Sequence, residues 1–163
     1  MLSGLAVAIH VLLVFWLVSG IVGRDRMWAE ARRTEDLGRL KWLVEMAGQF
    51  DVRAVRPGTF AVLVAGLIAA WARGWPILGF LQGGPVNWVL ASLLLYLSIL
   101  PVIAFVFIPR GNAFRRVWQD ALAKGAITPE LRAALRDPAV AAARGYEMVM
   151  IAVLTYLMVT RPF

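Results

Sequence analysis

Charge is absent from long stretches of this sequence, and that distribution limits the folds open to the chain. The first stretch, from Met1 to Gly23, holds no Asp, Glu, Lys or Arg. A helix needs about 20 apolar residues to cross the roughly 30 Å hydrocarbon core of a bilayer. Hydrophobic residues make up 61% of the chain, against roughly 45–50% in soluble domains. The sequence therefore predicts a protein whose solvent is the bilayer.

Four apolar stretches predict four transmembrane helices, at about residues 4–23, 58–72, 86–107 and 139–159. The first stretch is longer than the roughly 7–15 residues of a signal-peptide core, and no Lys or Arg precedes it, so we expect an uncleaved span. We predict an all-α polytopic membrane protein in which four transmembrane helices form a bundle. Residues 1–163 are expected to form a single membrane domain.

Amphipathic cytoplasmic helices are predicted in the first and third loops. In the first loop, four apolar residues recur at helical spacing after Asp36: Leu37, Leu40, Val44 and Ala47. This pattern favours a helix that lies on the membrane surface or packs beneath the bundle. In the third loop, apolar residues after Asn112 share one face of a helix, which Gly125 is expected to terminate.

Prolines and glycines predict where the helices begin, bend and end. Pro57 stands in the first turn of the second span, where its missing N–H costs nothing, and Pro101 should kink the third span. Thr128 and Asp137 each precede a proline and are typical helix N-caps. The connection 73–87 is rich in Gly and Pro, which predicts an irregular loop that dips into the membrane interface.

Basic residues are concentrated in two of the loops. The first loop holds eight Lys or Arg and the third holds six, whereas the second loop and the C-terminal end hold one each. Because loops rich in Lys and Arg stay in the cytoplasm, both termini are predicted on the non-cytoplasmic side. The net charge of +7 is then explained by topology and by contact with anionic lipid, so no nucleic-acid partner is predicted.

His10 is the only histidine in the chain, and it lies six residues inside the first span. Neutral imidazole is a common haem ligand, and Met158 would lie in the same leaflet, so a haem b site at His10 and Met158 is one hypothesis. The alternative is that His10 hydrogen-bonds a neighbouring helix. No other metal site is predicted, because the chain has no Cys and its methionines form no ligand cluster.

Two ionisable residues fall inside the fourth span. Arg144 and Glu147 are three residues apart, which predicts an ion pair that serves either a transport path or the structure of the cytoplasmic end. No catalytic arrangement is recognised, since the spans hold no paired carboxylates and the chain has no second His and no phosphate-binding loop. The remaining candidates are small residues that would let helices approach closely: Ser19, Gly20, Gly23, Ala65, Gly66 and Ala69.

Four short motifs stand out: the His10 segment followed by Trp16, Arg56-Pro57-Gly58, Arg144-Gly-Tyr146, and the closing stretch from Leu157 to Pro162. Together they resemble the domain-of-unknown-function 2269 family of bacterial predicted integral membrane proteins, over essentially the whole chain. The resemblance implies a multi-pass protein of four helices in the bacterial cytoplasmic (inner) membrane. Because that family has no established activity, the resemblance implies none.

The first span alone is also similar to two other groups, the haem-dependent membrane protoporphyrinogen oxidases and the copper-resistance D-type proteins. The oxidases also rely on a lysine in the membrane region. The only lysines of this chain are Lys41 and Lys124, and both lie in predicted loops. This departure argues against carrying the oxidase activity over.

Abundant small residues and sparse chemistry together predict a function based on packing. The leading hypothesis is a non-catalytic accessory or assembly subunit that packs against other integral membrane proteins, or against itself, in a larger complex. The alternatives are a b-type haem redox protein that uses His10 and a small transporter that uses Arg144 and Glu147. The lipid bilayer is a partner in every case.

Overall fold

A computed structural model describes residues 2–82 and 87–162, apart from the side chains of Phe80 and Leu81. This part of the chain is helical and contains no strand. Four of its helical segments are long and apolar enough to cross a membrane: Leu2–Ala31, Leu37–Ala72, Trp88–Lys124 and Pro129–Thr160. The prediction of an all-α membrane protein with four transmembrane helices is confirmed.

The chain divides into two compact units, residues 1–75 and residues 76–163. Each unit contains two of the four long helical segments, and each is described by itself below. The prediction that residues 1–163 form a single membrane domain stays a prediction.

The first unit is an antiparallel hairpin of two long helices. Its first arm is α1 (Leu2–Ala31), and its second arm joins α2 (Leu37–Phe50), the π-helical segment π1 (Asp51–Val55) and α3 (Arg56–Ala72). The second arm begins where the Asp36 side chain accepts a hydrogen bond from the Arg39 N–H, as an N-cap does. Because both arms extend beyond the apolar stretches of the sequence, the hairpin continues outside the membrane.

Helix α2 is the amphipathic helix that the sequence predicts in the first loop. It runs through π1 directly into α3, so that residues 37–72 are continuously helical. Its apolar face is buried through Leu40, Leu43 and Ala47, and it packs along α1. The amphipathic helix predicted in the first loop is therefore found, and its position relative to the membrane surface stays a prediction. Trp42, on the other side of α2, is 54% exposed.

Proline accounts for the π-helical turn inside this arm. Pro57 lies in the first turn of α3, as expected, but the backbone does not begin a new helix there. A proline inside a helix lacks an N–H, and its ring collides with the carbonyl four residues earlier. Just before it, the Arg56 N–H donates to the Asp51 carbonyl, five residues back. The wider turn admits the ring without breaking the helix.

The second unit also brings two long helical segments together. Its first arm consists of α4 (Trp88–Leu97), α5 (Ile99–Val102), the π-helical segment π2 (Ile103–Phe107) and α6 (Ile108–Lys124). After α7 (Pro129–Leu135), α8 (Pro138–Thr160) packs against α4 and π2. Buried Ile99, Met150 and Leu154 form the apolar contact between the arms.

Prolines also shape the first arm of the second unit. The helix is interrupted at Ser98, between α4 and α5, three residues before Pro101, where the sequence predicts a kink. Ser98 Oγ donates to the Leu95 carbonyl. Helix α6 begins at Ile108 rather than after Asn112, since π2 carries the backbone past Pro109 with an Ile108 N–H to Ile103 carbonyl bond. The helix thus continues past Pro109, as the second arm of the first unit continues past Pro57.

The turns at the charged end of the second unit match their sequence signals. Gly125 ends α6 in the left-handed region at φ 65°, which only glycine adopts without cost. The Thr128 hydroxyl accepts from the Leu131 N–H and the Asp137 carboxylate accepts from the Ala139 and Val140 N–H groups, so both predicted caps are confirmed. The Lys124 ammonium donates a hydrogen bond to the exposed Asp120 carboxylate at 2.7 Å, which raises the pKa of Lys124.

The connection between the two units is irregular up to a short 3-10 turn at Gly79–Gln82. Asn87 caps α4 through its side-chain oxygen and donates its amide N–H to the Pro76 carbonyl. Residues 83–86, which include the predicted start of the third span at Val86, lie outside the described residues. The prediction that this loop dips into the interface stays a prediction.

Candidate functional site

His10 is buried in the helix pair of the first unit and is only 8% exposed. Its ring lies against Gly66 on α3. A Cβ placed on Gly66 would lie 3.0 Å from Cε1, 3.3 Å from Nδ1 and 3.8 Å from Nε2. Glycine at this position therefore makes room for the imidazole. The Val62 backbone also interacts with the ring, while Nδ1 has no hydrogen-bond partner of normal geometry among the described residues.

The candidate haem ligand therefore packs against a helix of its own unit. Cε1, which lies between the two ring nitrogens, is the ring atom closest to the Cβ position of Gly66, so this edge of the imidazole faces α3. Both the haem hypothesis and its alternative, a hydrogen bond from His10 to a neighbouring helix, stay predictions.

The other proposed haem ligand, Met158, lies on α8 of the second unit. Since His10 belongs to the first unit, the pairing of the two side chains stays a prediction. Within residues 2–82 and 87–162, no group of three or more His, Cys, Asp or Glu side chains could hold a metal ion.

Glycines mark the closest approaches between the arms of the first unit. A Cβ on Gly20 would lie 2.5 Å from the Ala54 Cβ, and a Cβ on Gly23 would lie 2.6 Å from the Phe50 ring. Gly58, on α3, lies in the same way against Leu17. Of the other predicted packing residues, Ala65 and Ala69 are buried, Gly66 lies against His10, and Ser19 is exposed.

An ionic cluster fixes the hairpin where its apolar part ends. Arg24 is only 8% exposed, and its guanidinium lies 3.0 Å from the Asp25 carboxylate and 3.9 Å from that of Asp51. Asp51 also accepts from Arg56 at 2.8 Å. A buried arginine is stable only when its charge is compensated, and Asp25 together with the first residue of π1 supplies that compensation.

The predicted ionisable pair of the fourth span occupies α8. Glu147 is buried, at 7% exposure, and Arg144 is half-buried. Their assignment to a transport path stays a prediction. Between these two residues in the sequence lies Tyr146, whose hydroxyl shares a short hydrogen bond with Ser98. This bond joins α8 to the interruption between α4 and α5. The Tyr146 hydroxyl is thus part of the contact between the two arms.

Helix α8 has a second, unpartnered face. Six exposed residues follow one another at alternating steps of four and three: Ala141, Gly145, Met148, Ala152, Thr155 and Val159. We call these six residues the α8 outer face. It lies opposite the buried residues of the helix, which include Glu147 and Leu154, and a Cβ on Gly145 would meet nothing within 4 Å.

A comparison with sequence models of protein families identifies the family of this chain. The sequence model of the family described as "Predicted integral membrane protein (DUF2269)" matches residues 5–162. The chain belongs to this family. The resemblance drawn from the short sequence motifs is therefore confirmed, and with it the description as an integral membrane protein that contacts the lipid bilayer. No curated protein and no solved structure matches the chain.

For this member of the DUF2269 family, two features of the structure escape a sequence-based search. In the sequence, Arg24 is the first charged residue of a predicted loop. Its contact with Asp51 becomes visible only in the folded hairpin. The α8 outer face is visible in the sequence as a series of mostly small residues at alternating steps of four and three. A second series with the same steps on that helix forms the buried face. The spacing alone does not decide which of the two remains exposed.

Proposed function

We propose that this chain is an accessory or assembly subunit of the bacterial inner membrane that packs against another membrane protein through the α8 outer face. The observation that supports the proposal is the exposure of all six residues of that face. Their alternating spacing is the one that lets two helices pack side by side over several turns. Lipid tails are as apolar as protein side chains, so membrane helices associate where small residues allow close contact.

The composition of the α8 outer face favours a helix as its occupant. Ala141, Gly145 and Ala152 present little side chain, so the backbone of a partner helix can come close. Gly145 costs roughly 1 kcal/mol of helix propensity relative to alanine, and contacts within the described structure do not offset this cost, because nothing lies within 4 Å of its missing Cβ. A partner helix at this position would account for the glycine.

Substitution on the outer face tests the proposal against a matched control. Gly145→Leu places a large side chain where the partner would pack and should reduce the amount of co-purified partner, or of self-associated complex, at least tenfold. Ala142→Leu makes a similar change three residues earlier, on an exposed flank of the same helix outside the outer face, and should leave association unchanged. The measurement is cross-linking and native mass spectrometry after extraction in a mild detergent.

Two results would contradict the proposal. One is equal association of the wild type and Gly145→Leu, with both variants folded by circular dichroism. The other is a wild-type protein that stays monomeric and whose removal leaves the assembly of every inner-membrane complex intact. Orientation in the membrane, with both termini on the non-cytoplasmic side, belongs to the same proposal and has its own experiment below.

A further inference from the structure

A groove with a volume of about 390 Å³ runs along the first unit between α1 and the second arm. Its walls are largely apolar, and they include two aromatic side chains, Trp16 and Phe50. Three polar side chains line it as well: Ser19, Gln49 and Arg53. Trp16 is 42% exposed, so the groove opens to the surroundings of the hairpin.

Arg53 is the charged group of this groove, and no acid neutralises it. Its side chain is exposed and makes no ion pair or hydrogen bond with any residue that the structure describes. Asp51, two residues earlier, is already bound by Arg56 and Arg24. Gln49 lies four residues before Arg53, which puts both side chains on the same face of the helix.

The level of Arg53 along the hairpin follows from the helix contacts. Gly20 lies against Ala54, so the neighbouring Arg53 is close to the level of Gly20. That is four residues, or roughly 6 Å, before the first charged residue of α1, Arg24. Trp16 lies about 6 Å further into the apolar part of the hairpin. The groove therefore crosses the boundary between hydrocarbon and lipid headgroups, with the guanidinium on the headgroup side.

We propose that this groove binds one anionic phospholipid. The phosphate accepts hydrogen bonds from Arg53 and the Gln49 amide, and an acyl chain lies along Trp16 and the apolar wall of the groove. The planar guanidinium of arginine can donate two parallel hydrogen bonds to the oxygens of one phosphate. A basic group near the membrane surface also favours anionic over zwitterionic lipid. The occupant is identified by charge complementarity: an uncompensated cation above an apolar channel fits an anionic amphiphile. The site lies wholly in the first unit and is independent of the α8 outer face.

The test uses the full chain, purified and stripped of lipid in detergent. Phosphatidylglycerol and phosphatidylcholine with identical acyl chains are titrated and counted by native mass spectrometry. We expect one tightly bound phosphatidylglycerol per chain. Arg53→Gln should weaken it about fivefold, the effect of one basic residue near an anionic surface, with phosphatidylcholine unchanged. Arg26→Gln removes an exposed arginine of α1 that does not line the groove, and phosphatidylglycerol binding should be retained.

A neutral pair of variants tests the groove itself and remains informative if Arg53→Gln does not fold. Ser19→Trp fills the groove without changing charge and should abolish the tight site, whereas Val22→Trp, on an exposed part of α1 outside the groove, should not. Equal losses from Arg53→Gln and Arg26→Gln would show diffuse attraction to basic loops and overturn the proposal. So would equal binding of the two lipids, or tight binding that survives Ser19→Trp.

Discussion

Glycines set the distance between the two arms of the first unit, because they have no side chain to hold the arms apart. At Gly20 and Gly66, an added Cβ would lie within 3.0 Å of an atom of the opposite arm. Other glycines of the same unit, such as Gly48, have nothing within 4 Å of that position. The sequence identifies both kinds of glycine as small residues in helices. Which of them touches a neighbour depends on the register of the hairpin, and the register is not visible in a composition or a spacing.

This distinction predicts opposite effects of one substitution at two helical glycines. Gly20→Ala places two Cβ atoms 2.5 Å apart, against Ala54, so the arms must shift, at a cost of about 1–3 kcal/mol of unfolding free energy. Gly48→Ala meets no atom and should stabilise α2 by up to about 1 kcal/mol. Thermal unfolding in detergent measures both. Ala54→Gly should restore the stability lost by Gly20→Ala, and additive losses in that double variant would contradict the contact.

The contact between His10 and Gly66 yields a second residue-scale prediction. Gly66→Ala brings a Cβ to 3.0 Å from the imidazole and should destabilise the wild type by about 1–3 kcal/mol. In a His10→Ala background the same change should cost much less, because the ring it meets is gone. Equal costs in the two backgrounds would rule out the packing role. Visible absorption spectra of the oxidised and reduced protein are recorded on the same samples, and a Soret band that is lost in His10→Ala would support the haem hypothesis.

At the scale of whole elements, the sequence predicts where helices are but not how far each one continues. The caps at Thr128 and Asp137 follow from local chemistry, in which a short polar side chain binds nearby N–H groups, and such signals are readable in a sequence. Pro57 and Pro109 give the same local signal as a helix start. Here the helix passes both by widening one turn, which depends on the packing of the long arm against its partner and not on the proline alone.

A π-helical turn corresponds to one extra residue in an α-helix, which gives an element-scale prediction. Deleting exposed Val52 from π1 should return the turn to α-helical form and keep the faces of α2 and α3 in register. In a Pro57→Ala background the chain should then fold, while with Pro57 present the deletion should cost about 3 kcal/mol more. Deleting Val64 inside α3 rotates every later residue by about 100° and should abolish folding. Folded yield in detergent and unfolding temperature compare the deletions.

For the whole molecule, the length of the apolar stretches and the placement of charge predict four spans, and the described part of the chain has four helices long enough to be those spans. The prediction succeeds because the bilayer allows few alternatives to long helices. The function is harder to predict for the same reason. Faces that contact lipid and faces that contact another helix are both apolar, so the α8 outer face cannot be separated from the rest of the surface by hydropathy. Its small residues and its exposure become informative only when the buried face of the same helix is known.

Orientation is the remaining property of the whole molecule, and it rests on charge alone. The first and third loops together hold fourteen basic residues, whereas the second loop and the C-terminal end hold one each, so the first and third loops should lie in the cytoplasm. The chain has no Cys, so the one cysteine introduced in each variant is the only thiol of the protein that can be labelled. In intact spheroplasts, Gly74→Cys should react with a membrane-impermeant maleimide, whereas Glu35→Cys should react only after lysis. The reverse pattern would invert the orientation, and it would move the Arg53 groove away from the cytoplasmic leaflet, where anionic lipid headgroups attract basic residues.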